Sequence, residues 1–376
     1  MNDRLIRIRR CLGEAPADLV VEHLGDELTK EYGIVETTLL QVDYRLSALL
    51  PLTGGDPVRG AGTPAWRCFD HQSEVVQDGT VYLPVTVRGE RIGVLRLNPD
   101  PADPQRRSEL AEAAVALAHE LVAVRAGTDR YAVGARTRQL TLAAEMQWEL
   151  LPGRSRTRPS FSLAGQLEPA YAVRGDTFDW ADDSRRLWLS AINGMGEGVT
   201  ASMLTCLGTN ALRNARRAGL ELADQAALAD QAIYSYHRGV QHLSALLLEL
   251  DLSTGLVTAV DAGSPRLLLV RDDEVRDQPL DDQFPLGMFD GTIYQSQRFR
   301  LLPGDRLLVV SDGVFNATSR SARYAETALH RSARRTRSLA PLEAVRSLLG
   351  DLRAFVGSDL VDDAVVVCLD WTGPAV

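Results

Sequence analysis

The sequence predicts an α+β protein in which a smaller N-terminal α/β part precedes a larger β-sandwich flanked by helices. About seven apolar segments of strand length follow residue 160, and turn signals separate them. The helical segments between them come in adjacent pairs, whereas alternating βαβ units would predict a parallel sheet. The chain of 376 residues is long enough for two domains, each with its own core.

Composition and charge exclude several functional classes. Hydrophobic residues make up 45% of the chain and charged residues 24%, which is typical of a folded globular protein. The net charge of −9 argues against a general nucleic-acid-binding protein, which would be basic. No apolar run approaches the roughly 20 residues that span a bilayer, and no apolar segment follows the basic MNDRLIRIRR stretch to make a secretory signal. The four scattered cysteines predict neither a zinc site nor a disulfide framework, so we expect a cytoplasmic protein.

Residues 1–105 are predicted to form the first domain. Apolar positions at helical spacing indicate a helix in residues 16–30, and strand-like segments follow in 34–50. A loop rich in glycine and proline separates these segments from alternating residues in 81–99, which indicate a hairpin that turns at Arg88-Gly89-Glu90.

Residues 106–151 are predicted to connect the two domains as helices. The 3–4 spacing of apolar residues indicates helix, and Gly127 and Gly134 indicate two helices or one with a break. Such a segment either joins a sensor to an output domain or simply packs on its own domain. It is also the segment expected to pair if the chain forms a homodimer.

Residues 152–376 are predicted to form the second domain. Its helices are expected at 200–218, 221–237, 324–335 and 341–356. Its strands are expected at 161–169, 186–193, 243–250, 256–262, 266–271, 306–311 and 364–370.

Four short segments in this domain place side-chain oxygens at strand ends or in tight turns. They contain Asp176, Asn193, Asp312 and the pair Asp362-Asp363, each beside a glycine or a second carboxylate. Mg²⁺ and Mn²⁺ prefer such oxygen ligands, and two ions about 3.5–4 Å apart clamp a phosphate and activate a water. Each segment alone also fits an ordinary turn or a solvated loop.

In their order along the chain, these motifs resemble the metal-dependent protein phosphatases (PPM type), in the bacterial branch typified by the stage II sporulation E phosphatase. The resemblance covers residues from about 140 to 370. It is carried by QWELLP, EPAYAVRGDTFDW, INGMGEGVTAS, DAGSPRLLLVR, FPLGM, LLPGDRLLVVSDGVFNA and VDDAVVVCL. It implies a four-layer α-β-β-α sandwich with the metals at one end. The stretch YLPVTVRGERIGVLRLN makes the first domain resemble a GAF-type sensory domain.

The resemblance also implies a function and a site. The expected activity is hydrolysis of phosphoserine or phosphothreonine on a protein by a water activated by two Mn²⁺ or Mg²⁺ ions. The expected partner is a phosphoprotein such as an anti-sigma-factor antagonist, with no nucleic-acid or membrane partner. The implied metal ligands are Asp176, Asn193, Gly194 through its carbonyl, Asp312 and Asp362.

The sequence departs from the family pattern around this site. Asn193 stands where the family has an aspartate that bridges both metals, and an amide oxygen brings no charge. The other departures are Arg174 for glycine, Glu197 for histidine, Ser264 for histidine, Asn316 for an acidic residue and Val365 for threonine. Two hypotheses follow: a phosphatase of weak activity, or a catalytically impaired pseudophosphatase that acts as a protein-binding regulatory module. A nucleotide-binding loop is not supported, because no Gly-Lys-Ser/Thr follows Gly198.

Overall fold

The structure is a computed structural model that describes residues 3–168, 173–319, 322–357 and 360–375. The chain divides into two compact units, Met1–Gln139 (unit 1) and Leu140–Val376 (unit 2). This division runs through the segment 106–151 that the sequence predicts as a connection. None of the helices that the described residues form is both long and apolar enough to cross a membrane.

Unit 1 is a five-stranded antiparallel sheet with helices. Its strand order is β2-β1-β5-β4-β3. The predicted hairpin is confirmed, and its two-residue turn, Arg88-Gly89, has positive φ angles at both positions (52° and 90°) as such turns require. In chain order the elements are α1 (Asp3–Glu14), α2 (Val20–Tyr32), β1 (Glu36–Val42), β2 (Leu49–Pro51), α3 (Pro64–His71), β3 (Val75–Gln77), β4 (Thr80–Val87), β5 (Glu90–Asn98), α4 (Pro104–Val124) and α5 (Arg130–Gly134).

The long helix α4 belongs to the core of unit 1. Its buried face, which includes Leu110, Leu117 and Leu121, packs in one cluster with apolar side chains of α1, α2 and the sheet. The Asp103 side chain caps its first turn by accepting a hydrogen bond from the Gln105 backbone N–H at 3.0 Å. The apolar spacing that predicts a connecting helix is therefore explained by packing inside this unit.

Unit 2 contains two antiparallel sheets and seven helices among its described residues. One sheet has the order β14-β11-β10-β9-β8 and the other β13-β12-β15-β16-β7-β6. In chain order the elements are α6 (Leu142–Leu150), β6 (Ser155–Arg158), β7 (Phe161–Glu168), β8 (Thr177–Asp182), β9 (Arg186–Asn193), α7 (Gly198–Arg217), α8 (Leu222–His237), β10 (Ser244–Asp251), β11 (Leu256–Ala262), β12 (Arg266–Arg271), β13 (Glu274–Asp277), β14 (Gln297–Arg300), β15 (Arg306–Val310), α9 (Asp312–Phe315), α10 (Tyr324–Thr327), α11 (Leu329–Arg335), α12 (Pro341–Val356) and β16 (Ala364–Trp371).

The two sheets of unit 2 pack face to face through one apolar core. Alternate residues of β9 and β10 point into this core from one sheet, and alternate residues of β15 and β16 from the other. On the outer face of the first sheet, Leu204 and Ile233 of α7 and α8 pack against Leu247 and Val260. Helix α12 packs on β7 and β16 of the second sheet. This arrangement confirms the expected four-layer α-β-β-α sandwich.

The structure also shows where the predicted elements are incomplete. Strand β9 has the predicted bounds, 186–193, and the other predicted strands agree to within a residue. The predicted helix 324–335 is interrupted at Ala328, where φ is −131°. Strands β6, β13 and β14 are short and carry many polar residues, so their sequences give little period-two signal.

Gly165 of β7 provides a test of the packing between the sheets. A Cβ at this position would lie 2.8 Å from the Phe178 ring and 3.1 Å from the Trp180 ring on the opposite sheet. We therefore expect Gly165→Ala to lower the free energy of unfolding by about 1–3 kcal/mol, the usual cost of overpacking a core. The measurement is urea unfolding of the full chain.

The matched control is Gly350→Ala in the middle of α12, where a Cβ would meet nothing within 4 Å. This variant should stabilise the protein by roughly 0.5–1 kcal/mol through helix propensity. A Gly165→Ala protein as stable as the unchanged chain would contradict the inter-sheet contact.

Candidate metal centre

The predicted site residues meet at one end of the sandwich. Asp176 directly precedes β8 and Asn193 ends β9, and these strands are neighbours in one sheet, with Thr177 opposite Ile192. In the other sheet, Asp312 follows the end of β15 and Asp362 precedes β16, which pairs with β15. Antiparallel neighbours place the end of one strand beside the start of the next. We call the four residues Asp176, Asn193, Asp312 and Asp362 the acidic end.

Asp363 ties the two sheets together at the acidic end. Its buried carboxylate oxygen Oδ2 accepts hydrogen bonds from the backbone N–H groups of Arg174 (2.8 Å) and Gly175 (3.0 Å), and from the Gln147 side chain (3.2 Å). The same Gln147 amide donates to the backbone carbonyl of Asp176 at 3.1 Å. These bonds fix the loop that carries Asp176.

Two glycines permit close backbone approach at this end. A Cβ on Gly194 would lie 2.4 Å from the carbonyl oxygen of Arg174, and a Cβ on Gly313 would lie 1.9 Å from the carbonyl oxygen of Asp363. Any side chain at either position would push neighbouring chain segments apart. Gly194 of the Gly-Met-Gly motif and Gly313 of the Asp-Gly motif are therefore required by packing.

The carboxylates of the acidic end repel one another. Burial raises the pKa of the Asp176 carboxyl well above its usual range, and the charges of Asp312, Asp363 and Asp362 raise it further. Burial followed by the charge of Asp312 raises the pKa of Asp362 to about 6. Such a cluster is costly in a folded protein unless a positive charge neutralises it.

Three oxygen atoms of the acidic end are buried without a hydrogen-bond partner. They are Asp176 Oδ2, Asn193 Oδ1 and Asp312 Oδ1. Buried polar atoms are nearly always hydrogen-bonded, so unpartnered oxygens on neighbouring strand ends call for an explanation. A divalent cation would satisfy them, because it accepts short oxygen ligands and neutralises the carboxylates.

Asn193 is oriented by a hydrogen bond to a neighbouring turn. Its Nδ2 donates to Ser264 Oγ at 2.8 Å, which leaves Oδ1 as the free acceptor. Ser264 and Gly263 both have positive φ angles (43° and 94°) in the turn between β11 and β12. Two positions that depart from the family pattern are therefore in direct contact.

The residues fit a hard divalent cation in donor chemistry. Two carboxylates and an amide oxygen are available from Asp176, Asp312 and Asn193, and Gly194 remains the predicted carbonyl ligand. Within the described ranges, no group of three or more His, Cys, Asp or Glu side chains is arranged to hold a metal ion. A cation here would therefore take the amide, backbone and water oxygens in addition to two carboxylates.

Several residues that position the site have weak sequence signals. Asp363 is visible only as the second member of an acidic pair, and Gln147 only as a polar residue in QWELLP. The Thr205 hydroxyl of α7 donates a hydrogen bond to the Gly175 carbonyl at 2.6 Å. A hydrogen bond from the Ser311 hydroxyl lowers the pKa of Asp176 and so opposes the effect of burial. Residues 169–172 of the predicted EPAYAVRGDTFDW motif lie outside the described residues.

A groove of about 690 Å³ is lined in part by Ser264 and Asn316. Because Ser264 is hydrogen-bonded to Asn193, the groove lies beside the acidic end. Its walls combine carboxylates, including Asp261 and Asp277, with Arg266, whose guanidinium stacks on the Phe315 ring at 4.2 Å. The groove offers space for a polypeptide segment next to the acidic end.

Comparison with known proteins agrees with this fold. Residues 183–372 match the family described as Stage II sporulation protein E (SpoIIE). The chain belongs to the SpoIIE family. Unit 2 is thus a PP2C-type phosphatase domain of that family, and PP2C-type is another name for the PPM type. The matched range includes Asn193, Asp312 and Asp362, whereas Asp176 lies outside it, shortly before residue 183.

Individual relatives are distant. Phosphoserine phosphatase RsbP of Bacillus subtilis (strain 168) is 24% identical over 191 residues, which are 48% of this chain and 46% of RsbP. The chain therefore spans less than half the length of that relative. The structure of the RsbU and RsbW domains of Rv1364c from Mycobacterium tuberculosis matches with a TM-score of 0.50 and 24% identity, covering 60% of this chain and 63% of that one. The PP2C phosphatase domain of SpoIIE from Bacillus subtilis, solved with a fragment of its regulatory domain, matches with a TM-score of 0.51 and 17% identity, covering 57% and 65%.

The mutual repulsion within this SpoIIE-family site predicts the behaviour of Asp176→Asn. A carboxyl whose pKa is raised on folding stabilises the protein at low pH, and this contribution is lost as the pH rises through the pKa of the folded state. At pH 8 and with a chelator, the uncharged amide of Asp176→Asn should therefore raise the melting temperature by about 2–4 °C. For a unit of this size, that shift corresponds to a gain of about 1 kcal/mol in the free energy of unfolding. The gain should shrink towards pH 4, and Mn²⁺ should stabilise the variant less than the unchanged chain.

Asp305→Asn is the matched control, because Asp305 is equally buried but accepts hydrogen bonds from Arg271 Nε (2.8 Å) and the Leu302 backbone N–H (2.7 Å). Its substitution should lower the melting temperature with or without metal. If Asp176→Asn lowered the melting temperature as much as Asp305→Asn does, this result would contradict the repulsion at the acidic end.

Proposed function

We propose that unit 2 hydrolyses phosphoserine or phosphothreonine on a partner protein, with weak activity that depends on Mn²⁺ or Mg²⁺. The observation that carries this proposal is the pair of buried, unpartnered carboxylate oxygens, Asp176 Oδ2 and Asp312 Oδ1, at the sandwich end. A bound divalent cation supplies charge neutralisation for the phosphate and an activated water. Membership of the SpoIIE family supports the same activity.

The residues of the acidic end have separate roles in this proposal. Asp176 and Asp312 would hold the cation by charge, and Asn193 would add a neutral oxygen that is oriented by Ser264. Asp363 positions the Asp176 loop through backbone hydrogen bonds and does not contact the substrate. No covalent enzyme intermediate would be required, because a bound cation would supply an activated water as the nucleophile.

The proposed partner is a cytoplasmic phosphoprotein such as an anti-sigma-factor antagonist. The name of the relative RsbP, a phosphoserine phosphatase, supports a phosphoserine substrate. The groove beside Asn193 provides room for the chain around the phosphorylated residue. Unit 1 is proposed to be a GAF-like sensory domain, and a homodimer remains a prediction.

A second candidate function is a pseudophosphatase that binds a phosphoprotein without turning it over. The observation that favours it is the neutral Asn193 at the end of β9, since its amide engages Ser264 and contributes no negative charge to a cation. Both candidates use the same acidic end and the same groove. They differ in turnover.

Substitution of Asp312 tests the catalytic proposal. Asp312→Ala removes one of the two carboxylates that hold an unpartnered oxygen. Phosphate release from a phosphoserine protein in Mn²⁺ should fall about 100-fold or more, because each 1.36 kcal/mol of lost stabilisation is a factor of ten. The exposed Asp290→Ala is the charge-matched control and should keep full activity. Activity that survives in Asp312→Ala would show that the metal centre lies elsewhere.

Substitution of Asn193 separates the two candidate functions. Asn193→Asp adds a charged ligand, so it should raise both Mn²⁺ affinity and turnover, with the largest gain at low Mn²⁺. The measurement is phosphate release from a phosphopeptide across a Mn²⁺ titration. Measurable turnover in the unchanged chain supports the phosphatase. No turnover in either protein would favour the pseudophosphatase.

A further inference from the structure

Asp362 differs from the other carboxylates of the acidic end in lying beside a positive charge, whereas Asp176 Oδ1 accepts a backbone N–H, that of Gly194 at 3.3 Å. Asp362 Oδ1 accepts the Asp363 backbone N–H at 2.9 Å and lies 3.8 Å from Nε of Arg174. By contrast, Asp176 and Asp312 each retain a buried oxygen without a partner. The structure thus separates the predicted ligands into an unsatisfied group and one residue that already faces a cation.

The guanidinium of Arg174 has two contacts besides Asp362. Its Nε donates to the Val361 carbonyl at 3.2 Å, and its Nη2 pairs with Glu197 Oε1 at 3.2 Å. The backbone N–H of the same residue donates to Asp363, and the preceding Val173 carbonyl accepts from Gly198 at the start of α7. The backbone of Arg174 is thus fixed, and its half-exposed guanidinium is directed towards Asp362 by its contacts with Val361 and Glu197.

The unsatisfied group has the donors that one cation needs. Asp176 is 1% exposed and Asn193 is 7% exposed, and both hold an oxygen with no partner. The hydrogen bond from Asn193 Nδ2 to Ser264 fixes which atom of the amide is free. With Asp312, this group supplies two negative charges and one neutral oxygen, which match a single divalent ion.

We propose that the acidic end holds one divalent cation, on Asp176, Asn193 and Asp312, and that the Arg174 guanidinium takes the place of a second cation at Asp362. The expected pair of metal ions is thereby replaced by one ion and one fixed side-chain charge. This arrangement deepens the proposed function and rests on it, because it concerns the same site.

Electrostatics opposes a second ion in this arrangement. An approaching divalent cation would have to share Asp362 with a guanidinium less than 4 Å away, and like charges at that distance repel. Asn193 offers no compensating charge on the other side. The positive charge of Arg174 and the missing negative charge of Asn193 therefore act in the same direction.

Arg174→Gln tests the arrangement directly. Native mass spectrometry and titration calorimetry of the chelator-treated full chain should count one Mn²⁺ per chain before substitution. In Arg174→Gln a second Mn²⁺ should bind, at least about tenfold more tightly than any second ion on the unchanged chain, a factor that corresponds to 1.36 kcal/mol. Arg174→Lys keeps the charge and should keep the count at one.

Two further variants keep the test decisive. Arg158→Gln removes a positive charge that pairs with Asp182, so it controls for net charge and should keep one ion. Asp362→Asn should also keep its one ion, whereas Asp176→Asn should lose it. Loss of the ion in Asp362→Asn, or two ions of similar affinity on the unchanged chain, would overturn the single-cation arrangement.

Phosphate release measured on the same samples separates a failure of the single-cation arrangement from a failure of the proposed phosphatase function. Two ions with hydrolysis in the unchanged chain would overturn the single-cation arrangement and keep the phosphatase. One ion without hydrolysis would keep the arrangement and overturn the phosphatase. A chain that binds no Mn²⁺ in any variant would overturn both.

Discussion

The rest of unit 2 depends on one electrostatic constraint, the burial of several aspartates at one end of a sandwich. Two sheets packed through an apolar core bring four strand ends together, and each end carries a carboxylate or an amide. Hydrogen bonds satisfy Asp363, a guanidinium faces Asp362, and Asp176 and Asp312 are left with unpartnered oxygens. A divalent cation would satisfy these two unpartnered oxygens, and this requirement would link the fold to metal-dependent chemistry.

Four of the six departures from the family pattern form two connected pairs in space. Asn193 donates to Ser264, and Arg174 pairs with Glu197 while facing Asp362. Asn193 thus removes a negative charge, and Arg174 adds a positive charge whose ion-pair partner, Glu197, adds a negative one. The surrounding framework is intact, because Asp363 still anchors the Asp176 loop and Gly194 still permits its close approach. This combination fits a site whose cation requirement has changed within a preserved scaffold.

The sequence predicts the architecture of unit 2 well because its central strands are apolar and their ends carry turn residues. Strands β9 and β12 are found at the predicted residues, whereas the polar edge strand β14 has no comparable signal. The gathering of Asp176, Asn193, Asp312 and Asp362 is predictable from motif order. The reach of the Arg174 side chain to Glu197 and the role of Asp363 as an acceptor of backbone hydrogen bonds are not, because both depend on tertiary geometry between segments far apart in sequence. In unit 1, the helical period of α4 shows an apolar face without showing what covers it.

The central claim is that the unpartnered oxygens of the acidic end bind a divalent cation. The most direct measurement is anomalous diffraction at the manganese absorption edge from crystals of the full chain grown with Mn²⁺. We predict an anomalous peak within about 2.0–2.6 Å of carboxylate oxygens of both Asp176 and Asp312, the range of metal–oxygen bonds for hard divalent ions. No peak at this end, or a peak bound elsewhere in the chain, would contradict the account.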